Sequence, residues 1–136
     1  MITHLVDANA LIALTVSEHE HHALVSTWIR TVEQVAVCPI VEGALVRFFV
    51  WMGETVGVAL EVLRLLQADP HFEFWPDSVS YADTDLSLVR GHRQVTDAYL
   101  VALVASRTPA LLATFDQALA QLHPNLTVLI GPPAMR

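Results

Sequence analysis

The chain opens with MITHLVDANALIAL, residues 1–14, and a change of periodicity inside this stretch decides the fold. Ile2, Leu5 and Val6 make an apolar run of strand length, whereas Ala10, Leu11 and Leu14 recur at helical spacing, so Asp7 falls at a strand-to-helix switch. In parallel α/β sheets ligands bind beyond the C-terminal ends of strands, which makes Asp7 a candidate site residue. Asn9 suits a helix N-cap, where its side chain would satisfy unpaired N–H groups.

The same alternation continues outward. Ser17 to Glu20 reads as an S-x-x-E capping box opening an amphipathic helix to about Val32. The run His19, Glu20, His21, His22 fits a solvated helix start better than a metal cluster. Val35 to Cys38 is a β-branched strand ending at Pro39, and residues 40–52 return to helical spacing with Glu42 on the first turn. After Gly53, residues 54–68 form a second helix of a hairpin. Phe72 to Trp75 reads as a third strand, and Asp83 to about Val89 as helical before Gly91. Ala98 to Ser106 is a helix opened by a Thr96-Asp97 cap. Ala110 to Ala113 is a buried strand followed by Thr114 and Asp116; Gln117 to Leu122 is a short helix, and Leu126 to Ile130 a last strand before a Gly-Pro-Pro tail. Strands alternating with helices specify an α/β fold with a parallel sheet and helices on both faces.

Length and composition bound the remaining classes. At 136 residues the chain is expected to be one domain. Hydrophobic residues make up 54% and charged residues 15%, an apolar balance that implies a surface reserved for another chain. Phe48 to Met52 are five consecutive large apolar residues, more than one helix face can bury, so a homodimer interface or a groove for a partner helix is expected there. Arg47, Glu54, Glu61 and Arg64 interrupt the longest apolar region, which excludes a membrane span. The first positive charge is Arg30, too late for a signal peptide, so a cytoplasmic protein is expected. Cys38, the single cysteine, reads as a buried small residue. Net charge is −7 and lysine is absent, which excludes a basic nucleic-acid coat protein and any P-loop site.

Four acids stand at strand ends or helix starts: Asp7, Glu42, Asp97 and Asp116. Right-handed crossovers bring such positions to one edge of the sheet. Carboxylates gathered in a cleft repel and call for positive charge between them; a divalent cation such as Mg²⁺ or Mn²⁺, which takes hard oxygen ligands, is the natural candidate. Each acid alone is also explained as a helix-dipole partner, and it is the joint pattern that points to a site.

The strand ending in Asp7-Ala8-Asn9, the Pro39-Ile40-Val41-Glu42 stretch, Thr96 to Leu100, and Thr114-Phe115-Asp116 together resemble the PIN-domain ribonucleases, and among them the VapC toxin group. The resemblance covers essentially the whole chain. It implies a five-stranded parallel sheet in the order 3-2-1-4-5, and RNA hydrolysis with Mg²⁺ or Mn²⁺ held by Asp7, Glu42, Asp97 and Asp116, supported by Asn9 and Thr114. It also implies a homodimer and a cognate antitoxin. Gln117-Ala118 departs from the pattern in lacking a charged residue after Asp116.

The expected activity is therefore metal-dependent endoribonucleolytic attack of water on a phosphodiester. Arg90 and Arg93, in a Gly-containing loop before Asp97, are the arginines best placed to touch phosphate. The alternative is a PIN-like module that binds RNA or protein without turnover, against which the presence of all four acids argues.

Overall fold

The computed structural model describes residues 1–131; residues 132–136, which hold the prolines of the tail, lie outside the described residues. The chain runs β1 (Thr3–Val6), α1 (Ala8–Thr15), α2 (His22–Ile29), β2 (Gln34–Val37), α3 (Pro39–Trp51), α4 (Val56–Ala68), β3 (Phe72–Phe74), two 3₁₀ turns (Tyr81–Asp83 and His92–Gln94), α5 (Val95–Ala105), β4 (Ala110–Thr114), α6 (Gln117–Leu122) and β5 (Thr127–Leu129). The five strands form one sheet in the order β3-β2-β1-β4-β5, as expected, with every pairing parallel. Right-handed crossovers then put α1 to α4 on one face and α5 and α6 on the other.

The centre of the sheet is apolar because it is covered on both sides. Leu5, Val6, Val35, Ala36, Leu112 and Ala113 are fully buried, and Leu11, Leu45 and Leu103 pack onto them from the helices. Cys38 is buried as well, and burial pushes its thiol up to about 12, which removes it as a nucleophile. Helix α3 opens on Pro39 at its first turn, where the missing N–H costs no hydrogen bond. It ends before Gly53, whose φ of 92° lets the chain reverse into α4, capped by the Thr55 hydroxyl accepting from Val58 N–H at 3.2 Å.

Four local expectations give way to other hydrogen bonds. Asp7, not Asn9, caps α1: the chain is still extended at Asp7 (φ −78°, ψ 176°), and its Oδ1 accepts from Ala10 N–H at 2.9 Å, leaving Asn9 exposed within the first turn. Ser17 to Glu20 is a turn and no capping box. The bonds His19 N–H to Val16 O and His22 N–H to His19 O, each 3.0 Å, carry the chain into α2 at His22, with no side-chain cap at His21. Residues 84–89 are not helical, because Asp85 Oδ1 takes Ser87 N–H at 3.0 Å and so competes with helix formation. Helix α5 starts at Val95, so Thr96 and Asp97 lie inside its first turn and do not cap it.

Candidate active site

Every strand points the same way, so the helix that follows each strand starts at the same sheet edge. Asp7 is the N-cap of α1, Glu42 lies on the first turn of α3, Asp97 on the first turn of α5, and Asp116 is the N-cap of α6. Each acid thus faces a positive helix end, which makes the edge tolerant of negative charge.

Hydrogen bonds hold two of these acids and the threonine between them. Asp7 is 7% exposed, tied by its N–H to Ala113 O at 3.2 Å and by its carboxylate to Ala10 N–H. Thr114, at the end of the neighbouring β4, is fully buried; its hydroxyl oxygen accepts from Asp116 N–H at 3.0 Å and its hydroxyl also serves the Asp7 carboxylate. One hydroxyl therefore links both acids, in keeping with its one donor and two acceptor lone pairs. Asp116 Oδ1 in turn accepts from Leu119 N–H at 3.1 Å.

Three carboxylates sense one another. Burial raises Asp7 above the ordinary carboxylate range, the hydrogen bonds from Thr114 and Ala10 partly offset this, and Asp116 raises it further. Asp97 is pushed up to about 6, first by burial and then by the charges of Asp7 and Asp116. Among the described residues the ion pairs are Glu20–His21 and Glu61–Arg64, so no basic side chain neutralises this trio. Glu42 sits in a different neighbourhood: burial raises its carboxyl first, and then the charge of Asp77. Among the described residues no set of three or more His, Cys, Asp or Glu side chains closes into a ready-made metal cage.

Asp77 escaped the sequence reading. It acts on Glu42, Cys38 and Tyr99, and its Oδ1 is buried without a hydrogen-bond partner. Its signal was available, since it follows β3 as Asp7 follows β1, but Pro76 between strand and acid obscured it. The histidine run also lies elsewhere than expected: the His21 ring stacks on Phe115, beside Asp116, with centroids 4.8 Å apart. Asn9 is exposed at the start of α1. Arg90 and Arg93 are both exposed; Arg90 is fastened into its own loop through Nη1 to Ser87 O at 3.3 Å and its N–H to Gln94 Oε1.

A cavity of about 460 Å³ opens beside the trio, with Asp97 and Asp116 in its wall. On α3 and α4 an apolar face lies uncovered, with Trp51 80% and Leu65 64% exposed, joined by Val50, Met52 and Val56. No helix among the described residues is long and apolar enough to cross a membrane.

Residues 4–123 match the PIN domain. The chain is 45% identical over 130 residues to Ribonuclease VapC29 of Mycobacterium tuberculosis, an alignment covering 95% of this chain and 97% of the relative. It is 38% identical over 134 residues to Ribonuclease VapC38 of the same species, covering 91% and 94%. Its fold superimposes with a TM-score of 0.62, at 15% identity and covering 93% of this chain and 96% of the other, on a chain from the crystal structure of VapBC2 from Rickettsia felis bound to a DNA fragment from their promoter. Parallel strands in the order 3-2-1-4-5, acids at the sheet edge and this level of identity converge: the chain belongs to the PIN-domain family, among the VapC ribonucleases.

Proposed function

We propose that the chain is a Mg²⁺- or Mn²⁺-dependent endoribonuclease, the toxin of a toxin–antitoxin pair, with Asp7, Asp97 and Asp116 as metal ligands and Glu42 completing the set from the adjacent helix start. The observation that carries this is the trio itself, three neighbouring carboxylates, two of them raised by burial and mutual repulsion, with no basic side chain among the described residues paired to them. Such oxygen donors fit a hard divalent cation, although their side chains as placed do not enclose one. When bound, the cation lowers the pKa of water and stabilises charge on the phosphate.

The chain's own residues supply position. Thr114 and Ala10 N–H fix Asp7, and Thr114 and Leu119 N–H fix Asp116, so both carboxylates meet substrate without reorganising. A carboxylate of the trio orients the attacking water or takes its proton. Asn9 and Thr114 act as supporting polar groups, and Arg90 and Arg93 contact the RNA backbone at the rim of the cleft. The uncovered apolar side chains of α3 and α4, Trp51 at the end of α3 among them, receive protein: the cognate antitoxin, whose basic arm competes for the carboxylates, with the toxin itself a homodimer in the cytoplasm. The chain acts as a single domain.

Cleavage of a defined RNA by the pure protein, with and without EDTA, tests the reading. Cleavage that EDTA abolishes and Mg²⁺ or Mn²⁺ restores is expected; cleavage indifferent to EDTA would remove the metal, and binding without any cleavage would favour the module that does not turn over.

A further inference from the structure

The cavity beside the trio is larger than the acid chemistry requires. At about 460 Å³ it falls within the range of sites that take small organic ligands. It lies between α5, α6 and the segment 79–94, and much of its wall is aliphatic: Leu88 from the segment, Ala98, Val101 and Ala102 from α5, and Leu119 and Leu122 from α6. Asp97 and Asp116 belong both to this wall and to the trio, so cavity and acid cluster are continuous. Acceptors outside the trio also line it: Asp83 and Asp85, beside Gln94, whose Oε1 already takes the Arg90 N–H. Asp85 is held below the usual carboxylate range by its hydrogen bonds to Ser87, and therefore stays ionised.

We propose that this cavity receives the nucleobase flanking the scissile phosphate, and that its acceptors favour a base whose Watson–Crick edge donates N–H bonds, guanine above uracil. The proposal rests on the ribonuclease reading and names what that site selects. A phosphodiester held beside Asp97 and Asp116 through the cation of the proposed site would have its neighbouring nucleoside at the cavity mouth. A base taken out of its stack needs apolar cover, which the leucines provide, and polar partners at its edge. Carboxylates outside the trio repel phosphate but accept from imino and amino groups, so Asp83 and Asp85 suit a base and reject a backbone track. Covering the same groove with an apolar protein face would bury those carboxylates without partners, at a cost that disfavours a second copy or a partner helix as occupant.

The test uses the full chain and single-stranded RNAs that differ only in the bases flanking one cut site. Binding is read by fluorescence anisotropy in Ca²⁺ and cleavage in Mg²⁺. Ala102→Phe fills the cavity from α5, and Leu122→Ser strips its wall from exposed α6; melting curves report that each variant is folded and still shifted by Mg²⁺. The expected result is a wild-type preference for guanine, weakened in both variants, with KM and Kd raised about tenfold, the scale of removing one small apolar group from a binding pocket, and kcat changed less. Wild-type cleavage with no flanking-base preference would overturn the pocket while leaving the ribonuclease reading intact. Variants that keep the preference while light scattering shows that they no longer self-associate would reassign the groove to a second copy. A folded, Mg²⁺-binding wild type that cuts no RNA would strike the ribonuclease reading itself, and the pocket with it.

Discussion

Asp7 carries two duties at once, as cap of α1 and as a member of the trio. Asp7→Asn keeps an oxygen to accept from Ala10 N–H while removing the charge that repels Asp97 and Asp116. The variant is therefore expected to remain folded, to melt no lower than wild type without metal, and to lose RNA cleavage by about two orders of magnitude or more, on the scale of deleting one electrostatic element from a site. Cleavage rates beside thermal melts check it, and full activity in a folded variant would remove Asp7 from the machinery. Asp97 makes a pH prediction. Its pKa is raised to about 6 in the fold against 3.8 as a reference, so the folded state binds its proton more tightly than the unfolded chain. Its contribution to stability is fully present below about pH 4 and is lost as the pH rises through about 6. In metal-free protein the melting temperature should rise, as far as this group is concerned, between pH 7 and pH 5, and Asp97→Asn should flatten that window. A window unchanged by the substitution would show that Asp97 is not the group responsible.

At the scale of elements, the four helix starts at one sheet edge explain how so acidic a site stays folded, because Asp7 and Asp116 accept from otherwise unpaired N–H groups as caps, and Glu42 and Asp97 stand on first turns at positive helix ends. The α3–α4 hairpin is organised differently. Of α4's residues only Ala59 is buried, while Val62, Leu63 and Leu66 pack part-buried against the core, so this helix is held by one face, by α3 and β3, and by its cap. Thr55→Ala removes the acceptor for Val58 N–H and should cost about 1 kcal/mol. Urea titration measures it, and hydrogen exchange should place the loss in α4; an unchanged midpoint would show that water replaces the hydroxyl without penalty.

At the scale of the whole molecule, the proposed function makes metal and partner both ligands of the folded state. Millimolar Mg²⁺ or Mn²⁺ should raise the melting temperature by mass action, and a melting temperature indifferent to both would speak against a metal site. The uncovered Trp51 makes the second prediction: Trp51→Glu should weaken association with the proposed antitoxin or a second copy by tenfold or more, about 1.4 kcal/mol or greater, because a charge replaces a large exposed aromatic side chain of the kind that anchors interfaces. Light scattering and co-purification measure it, and a variant that associates as wild type does would move the interface off this face.

The sequence by itself determined the alternation of strands and helices, the α/β class and the acids at the sheet edge, because hydrophobic periodicity and a strand-to-helix switch are properties of neighbouring residues. Its match to four spaced motifs carried the strand order as well. What only the tertiary structure decided was pairing between residues far apart or between rival local hydrogen bonds. Thr114 lies more than a hundred positions from Asp7 and meets it only because β4 lies beside β1. Asp77 acts on Glu42 only because β3 lies beside β2. Asp7 displaced Asn9 as the cap because the chain leaves the sheet one residue after Val6, a boundary set by strand pairing and not by cap preference. The apolar cavity depends on how far α5 stands from α6 and the segment before it, a distance that packing sets and no stretch of sequence encodes by itself.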